Sequence, residues 1–168
     1  GPVGSETDQS LWYLDVMGAV SYARALDVST VSVVGASWGG WAAARASTAL
    51  ESGAIDQLVL LAASPIDEPE RMQGNKLFIA ARDDFMGSGT LRLPGIREQF
   101  ERAPEPKALV VLYGSAHAQH IARDASPGRH REVAVHEQEV AVDGAGNAVS
   151  MTASIESAFG SRVMGRDV

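Results

Sequence analysis

The first residues in this chain whose types and spacing could do chemistry are Gly35-Ala36-Ser37-Trp38-Gly39, a serine with a glycine two positions to either side. The β-branched run Val31-Ser32-Val33-Val34 precedes them, and the alanine-rich stretch Ala42-Ala43-Ala44-Arg45-Ala46 follows. A serine on a sharp strand-to-helix turn has its hydroxyl lifted above the strand ends, at a helix N-terminus whose dipole favours developing negative charge. Such a turn requires strained backbone at the serine, and Gly35 and Gly39 are expected where a side chain would collide. The backbone N–H of Trp38 is then expected to serve as one donor to an oxyanion. A tight glycine turn that merely packs a helix onto a strand would read similarly. A phosphate-binding glycine loop fits poorly: Ser37 stands where a dinucleotide fingerprint has its second glycine, and no lysine follows as in a P-loop.

The elements that must position this serine are legible around it. Leu11, Leu14, Met17 and Val20 recur at near-helical spacing toward Leu26, with Thr7 or Asp8 available as a cap. Val31–Val34 is expected as a strand, Trp38 to Leu50 as a helix ending near Gly53, and Leu58–Leu61 and Leu77–Ala80 as further strands. Ile96 to Ala103 reads as a short helix and Ala108–Leu112 as a fourth strand stopped by Gly114. Continuous apolar strands separated by helices and loops predict an α/β fold, with a parallel sheet of about four strands and helices on both faces. The stretch Ser64 to Asn75 between the second and third strands is short and leaves no room for an inserted helical domain. Residues 121–168 change character, and alternating valines with Asp143-Gly144-Ala145-Gly146-Asn147 predict a β-hairpin near 132–151.

Composition narrows the classes. The 168 residues are 45% hydrophobic and 21% charged, enough for one domain with a core. Fourteen Lys and Arg against 21 Asp and Glu leave a net charge of −7, which disfavours nucleic acid and anionic membranes as partners. No apolar run approaches bilayer-spanning length, and no signal-like segment opens the chain. The chain has no cysteine, so thiol chemistry and thiolate metal sites are excluded, and a cytoplasmic location is expected. No His, Asp or Glu spacing on one element suggests a metal, and no cofactor is expected.

The run Val31-Ser32-Val33-Val34-Gly35-Ala36-Ser37-Trp38-Gly39-Gly40 resembles the nucleophile elbow of the α/β-hydrolase fold. The resemblance covers roughly residues 1–120 and implies a serine hydrolase, akin to cap-less esterases, that cleaves a small ester or similar acyl bond through an acyl-enzyme. It implies Ser37 as nucleophile, an acid in Ala81-Arg82-Asp83-Asp84 and a histidine in Gly114-Ser115-Ala116-His117, in the family's order along the chain. Asp84 is the expected acid, with Asp83 as the alternative. His117 is the expected base, with His120 as its competitor, while His130 and His136 are expected in solvent. Trp38 and Trp41 are candidates to line an acyl pocket, and Phe85 and Met86 to border the site.

Two departures from the family shape the alternative reading. Only one helix and one strand precede the elbow, so the loop that gives the family its second oxyanion donor is lacking. Residues 1–120 then correspond to the later half of such a domain, as in a piece of a longer protein. Residues 121–168 carry no closing amphipathic helix. The alternative is therefore a non-catalytic or truncated hydrolase-like fragment or binding module. With the chain as the later half of such a sheet, Val31–Val34 would become a sheet edge open to self-association. A haloalkane-type enzyme, which would have Asp as nucleophile, is disfavoured by Ser37.

Overall fold

The computed structural model describes residues 8–26, 28–124 and 131–134. Four parallel strands form the sheet in sequential order: β1 (Ser32–Ala36), β2 (Gln57–Leu61), β3 (Asn75–Ala81) and β4 (Lys107–Leu112). A short fifth strand, β5 (Arg131–Ala134), pairs antiparallel with β4, with Leu112 opposite Arg131. It falls in the segment where a hairpin was expected; the rest of that hairpin lies outside the described residues. The helices are α1 (Trp12–Ala25), α2 (Trp38–Ala49), α3 (Leu93–Arg102) and α4 (Gln119–Asp124). The fold is of the α/β class.

Strand order explains where the helices lie. When parallel strands are added one after another in one direction, right-handed crossovers deliver every connecting helix to the same face. Accordingly the connecting helices α2 and α3 share one face, and α1, ahead of β1, packs there with them: Val20, Ala43, Ala44, Ile96 and Phe100 bury against Leu58, Leu60, Phe78, Ala80, Leu109 and Val111. Phe78 and Phe100 meet edge to face at 5.6 Å between centroids. On the opposite face, α4 inserts Ile121 beside Ala36, Leu61 and Leu112, while Val34, Val59, Ile79 and Val110 remain half-buried. The strands therefore alternate fully and partly buried, a finer pattern than their continuous apolar runs disclose.

The α1 face also differs from expectation. Leu11 and Leu14 are about half exposed, at 50% and 48%, and Val16, Val20 and Ala23 carry the contact with the core instead. Asp8 caps a 3-10 turn at Gln9–Leu11 by accepting from the Ser10 amide, and α1 proper begins only at Trp12. On an α-helix of about 3.6 residues per turn a three-residue spacing drifts by about 60° per step, so Leu14 stands about 120° from Val20 and outside the inward stripe. Between β2 and β3 there is only a 3-10 turn at Pro69–Arg71, so the C-terminal ends of the strands carry no helical cap there. No helix among the described residues is long and apolar enough to cross a membrane. Among the described residues β1 is the terminal strand on its side of the sheet.

At the opposite, N-terminal end of the strands, Asp56 ties three segments together. Its Oδ2 accepts from Arg24 Nη2 of α1 at 2.6 Å and from the Val31 amide at 2.7 Å. The Val31 hydrogen bond, aided by Arg24 and opposed by partial desolvation, holds the Asp56 carboxyl below its ordinary value. A carboxylate so depressed adds stability above its unfolded value, and that stability is lost as pH falls through the folded one. The thermal midpoint of Asp56→Asn is therefore expected below wild type at neutral pH, with the gap closing as pH falls below about 4. A gap independent of pH, measured by thermal melts across that range, would contradict this.

Candidate active site

β1 ends where it must turn sharply into α2, and Ser37 is the turning residue. It adopts φ 53° and ψ −119°, a region L-residues rarely enter. Three backbone hydrogen bonds hold it there. Its N–H donates to Leu61 O at 2.9 Å, and its carbonyl accepts from Trp41 N at 3.0 Å and Ser64 N at 3.3 Å. The expected strain is thus present. A Cβ on Gly35 would lie 2.6 Å from the Gly39 carbonyl oxygen and 2.7 Å from Gly40 Cα. Gly40 is the close approach that sequence reasoning missed: a Cβ there would overlap Ala63 Cβ and come within 3.0 Å of Ala63 Cα. Gly39 enters through its carbonyl, the atom that a side chain at Gly35 would strike first.

His117 follows β4, in a loop turned by Gly114 at φ 96° and by Ala118 at φ 52°. Its carbonyl accepts from His120 N at 3.0 Å, and Ile121 N donates to Ala118 O at 3.1 Å, which locks the loop into the start of α4. Asp84 follows β3. Arg82 N donates to Leu112 O and Asp83 N to Gly114 O, extending the β3–β4 pairing beyond the last residue of each strand. In the turn that follows, Arg82 and Asp83 are exposed and Asp84 is almost fully buried.

These three loops all leave the C-terminal ends of parallel strands, where open α/β sheets hold their ligands. The structure brings Ser37, His117 and Asp84 into one hydrogen-bonded line. His117 Nε2 lies 2.9 Å from Ser37 Oγ, and His117 Nδ1 lies 2.7 Å from Asp84 Oδ2. A carboxylate can only accept, so Nδ1 carries the proton and Nε2 is left to accept from the serine hydroxyl. Asp83 and His120, the alternatives, are both exposed and make neither contact.

Trp38 opens α2, so its amide is among the first-turn N–H groups with no partner inside the helix. Its indole is half exposed and meets Trp41 edge to face at 6.3 Å, while Trp41 packs against the core. Phe85, beside the acid, is exposed, and Met86 is half-buried. Arg92, the residue just before α3, was not anticipated from sequence. Its Nε lies 3.5 Å from Asp84 Oδ1 and its amide donates to Asp84 O at 2.9 Å. A signal was present: a cation at a helix N-terminus opposes the helix dipole and needs another reason to be there. Among the described residues no group of three or more His, Asp or Glu side chains could hold a metal ion. No family model matches the chain, and no curated protein matches it either.

Proposed function

We propose that the chain is a serine hydrolase of the α/β-hydrolase class that cleaves a small ester or similar acyl bond. The observation that carries the reading is the unbroken line from Ser37 Oγ through His117 to the buried Asp84. Its constituents come from three loops, and His117 and Ser37 are 80 residues apart in sequence. A solvated turn or a packing histidine has no need of that convergence.

The reaction follows from the atoms. Ser37 Oγ attacks the acyl carbon while His117 Nε2 takes its proton, and the carbonyl oxygen becomes an oxyanion. Trp38 N–H, reinforced by the α2 dipole, donates to that oxyanion. His117 then returns its proton to the leaving alkoxide, which departs as an alcohol and leaves an ester on Ser37. Water, deprotonated by the same Nε2, repeats the attack and frees the acid. Asp84 holds the imidazole in the required tautomer and pairs with the imidazolium formed in each half-reaction. The short connection between β2 and β3, with its single 3-10 turn, favours small, accessible substrates.

A second reading, a hydrolase-like scaffold with little turnover, is favoured by one feature. Among the described residues Trp38 N–H is the donor identified at the elbow, and a site with one donor fewer turns over on the order of 100- to 1000-fold more slowly. Both readings are separated by a fluorophosphonate probe followed by peptide mapping. Covalent labelling at Ser37, lost in Ser37→Ala, is the expected result. Labelling that persists in Ser37→Ala, or maps to Ser115, would overturn the assignment. Labelling without turnover of nitrophenyl acetate would favour the scaffold reading.

A further inference from the structure

The loop from Asp84 to Arg92 leaves β3 and returns to its starting point. Phe85 and Leu91 form an antiparallel bridge, Met86 N donates to Thr90 O at 2.8 Å, and Gly89 N donates to Met86 O at 2.9 Å. Arg92 N closes the base by donating to Asp84 O. Backbone pairing therefore fixes Arg92 beside the acid before either side chain is considered. The Arg92 side chain is only 19% exposed and that of Asp84 only 3%. Arg92 Nε is shut away from solvent and makes no hydrogen bond, although it lies 3.5 Å from Asp84 Oδ1.

A guanidinium nitrogen buried without a hydrogen bond is costly, and a cation at the start of α3 opposes the helix dipole. Both costs are offset if the charge is needed where it stands. Asp84 is a nearly inaccessible acid whose other neighbour, His117, is neutral in the resting state of the proposed reaction. An uncompensated buried carboxylate is strongly disfavoured, and a counter-charge on the side away from the histidine removes that penalty without competing for Oδ2. Of the other charged groups nearby, Asp83 and Arg82 are exposed, with Arg82 over the Tyr113 ring at 4.5 Å, and His120 is exposed.

We propose that Arg92 is a positioning residue: it holds Asp84 through Oδ1, so that Oδ2 stays aimed at His117 Nδ1. The proposal rests on the hydrolase reading for its functional meaning, and the test separates the two. The full chain is compared with Arg92→Gln, Arg92→Lys and Asp84→Asn, with folding checked by circular dichroism. Two readouts are taken. One is the deshielded proton resonance of the His117 Nδ1–H bonded to Asp84, identified by its loss in Asp84→Asn. The other is the rate of fluorophosphonate labelling at Ser37.

Arg92→Gln is expected to shift or broaden the resonance and to slow labelling by about tenfold to a hundredfold. Arg92→Lys, which keeps charge but not the planar guanidinium, is expected to fall between Gln and wild type. In the Asp84→Asn background, Arg92→Gln should add nothing, which a merely structural role would not produce. If Arg92→Gln fails to fold, Arg92→Lys decides: a shifted resonance with labelling slower than wild type supports the proposal, and wild-type values in both readouts overturn it. A folded Arg92→Gln with unchanged resonance and labelling likewise overturns it. If wild type shows the resonance but never labels, the hydrolase reading fails, and the resonance alone still decides the role of Arg92.

Discussion

Asp84→Asn is expected to lower Ser37-dependent ester hydrolysis by about 10⁴-fold, while Asp83→Asn leaves it near wild type. The two residues are adjacent and chemically alike, so their environments make the difference. Asp84 is buried and accepts from His117 Nδ1 at 2.7 Å; Asp83 is exposed and contributes only its amide, to Gly114 O. An asparagine at 84 can present its NH₂ to Nδ1, which favours the imidazole tautomer protonated at Nε2. That tautomer cannot accept the proton of Ser37. Nitrophenyl acetate hydrolysis, corrected for the Ser37→Ala background, measures both variants. A greater loss at Asp83 would make Asp83 the acid, and equal losses would likewise contradict the hydrogen-bonded line through Asp84.

The second large effect is on stability. Gly35→Ala places its methyl against the backbone of Gly39 and Gly40, and Gly40→Ala places one against Ala63. Neither obstacle is a flexible side-chain end; the backbone itself has to move. Each substitution is expected to cost about 2–4 kcal/mol, and the thermal midpoint to fall by roughly 10 °C. Gly18 supplies the contrast. It lies inside α1, and a methyl added there would meet no atom within 4 Å, so Gly18→Ala should stabilise the helix by up to about 1 kcal/mol. Thermal melts of the three variants test the pattern. A shift of the same sign and size in all three would mean that close packing at the elbow is not what sets it.

How far the sequence discloses the molecule depends on the range of the interaction involved. Leu58–Leu61, Leu77–Ala80 and Ala108–Leu112 are recognisable as strands because burial demands apolar side chains at successive positions. The elbow is recognisable because its glycines and serine are contiguous. Arg92 is not, because its relation to Asp84 is made by a loop that folds back on itself, and nothing in the intervening residues names the two ends as partners. Gly40 is similar: its obligation is set by Ala63, which reaches it from the end of a neighbouring strand. The outward turn of Leu11 and Leu14 is hidden for a third reason. Leu11 falls in the 3-10 turn ahead of α1, and a three-residue spacing drifts by about 60° per step on an α-helix, which carries Leu14 away from the face of Val20. The gathering of α2 and α3 on one sheet face follows from strand order, which no single segment records.

The backbone of Ser37 has a consequence on the timescale of descent. Its positive φ costs of the order of 1–3 kcal/mol, and a glycine at the same position would relieve nearly all of it. Single-domain proteins stand only about 5–15 kcal/mol above unfolding, so that relief is a sizeable share of the margin. Mutation supplies such a change readily, and selection for folding alone would keep it. A lineage released from the need for a hydroxyl at this turn would therefore drift toward glycine, and one still dependent on it would go on tolerating the strain.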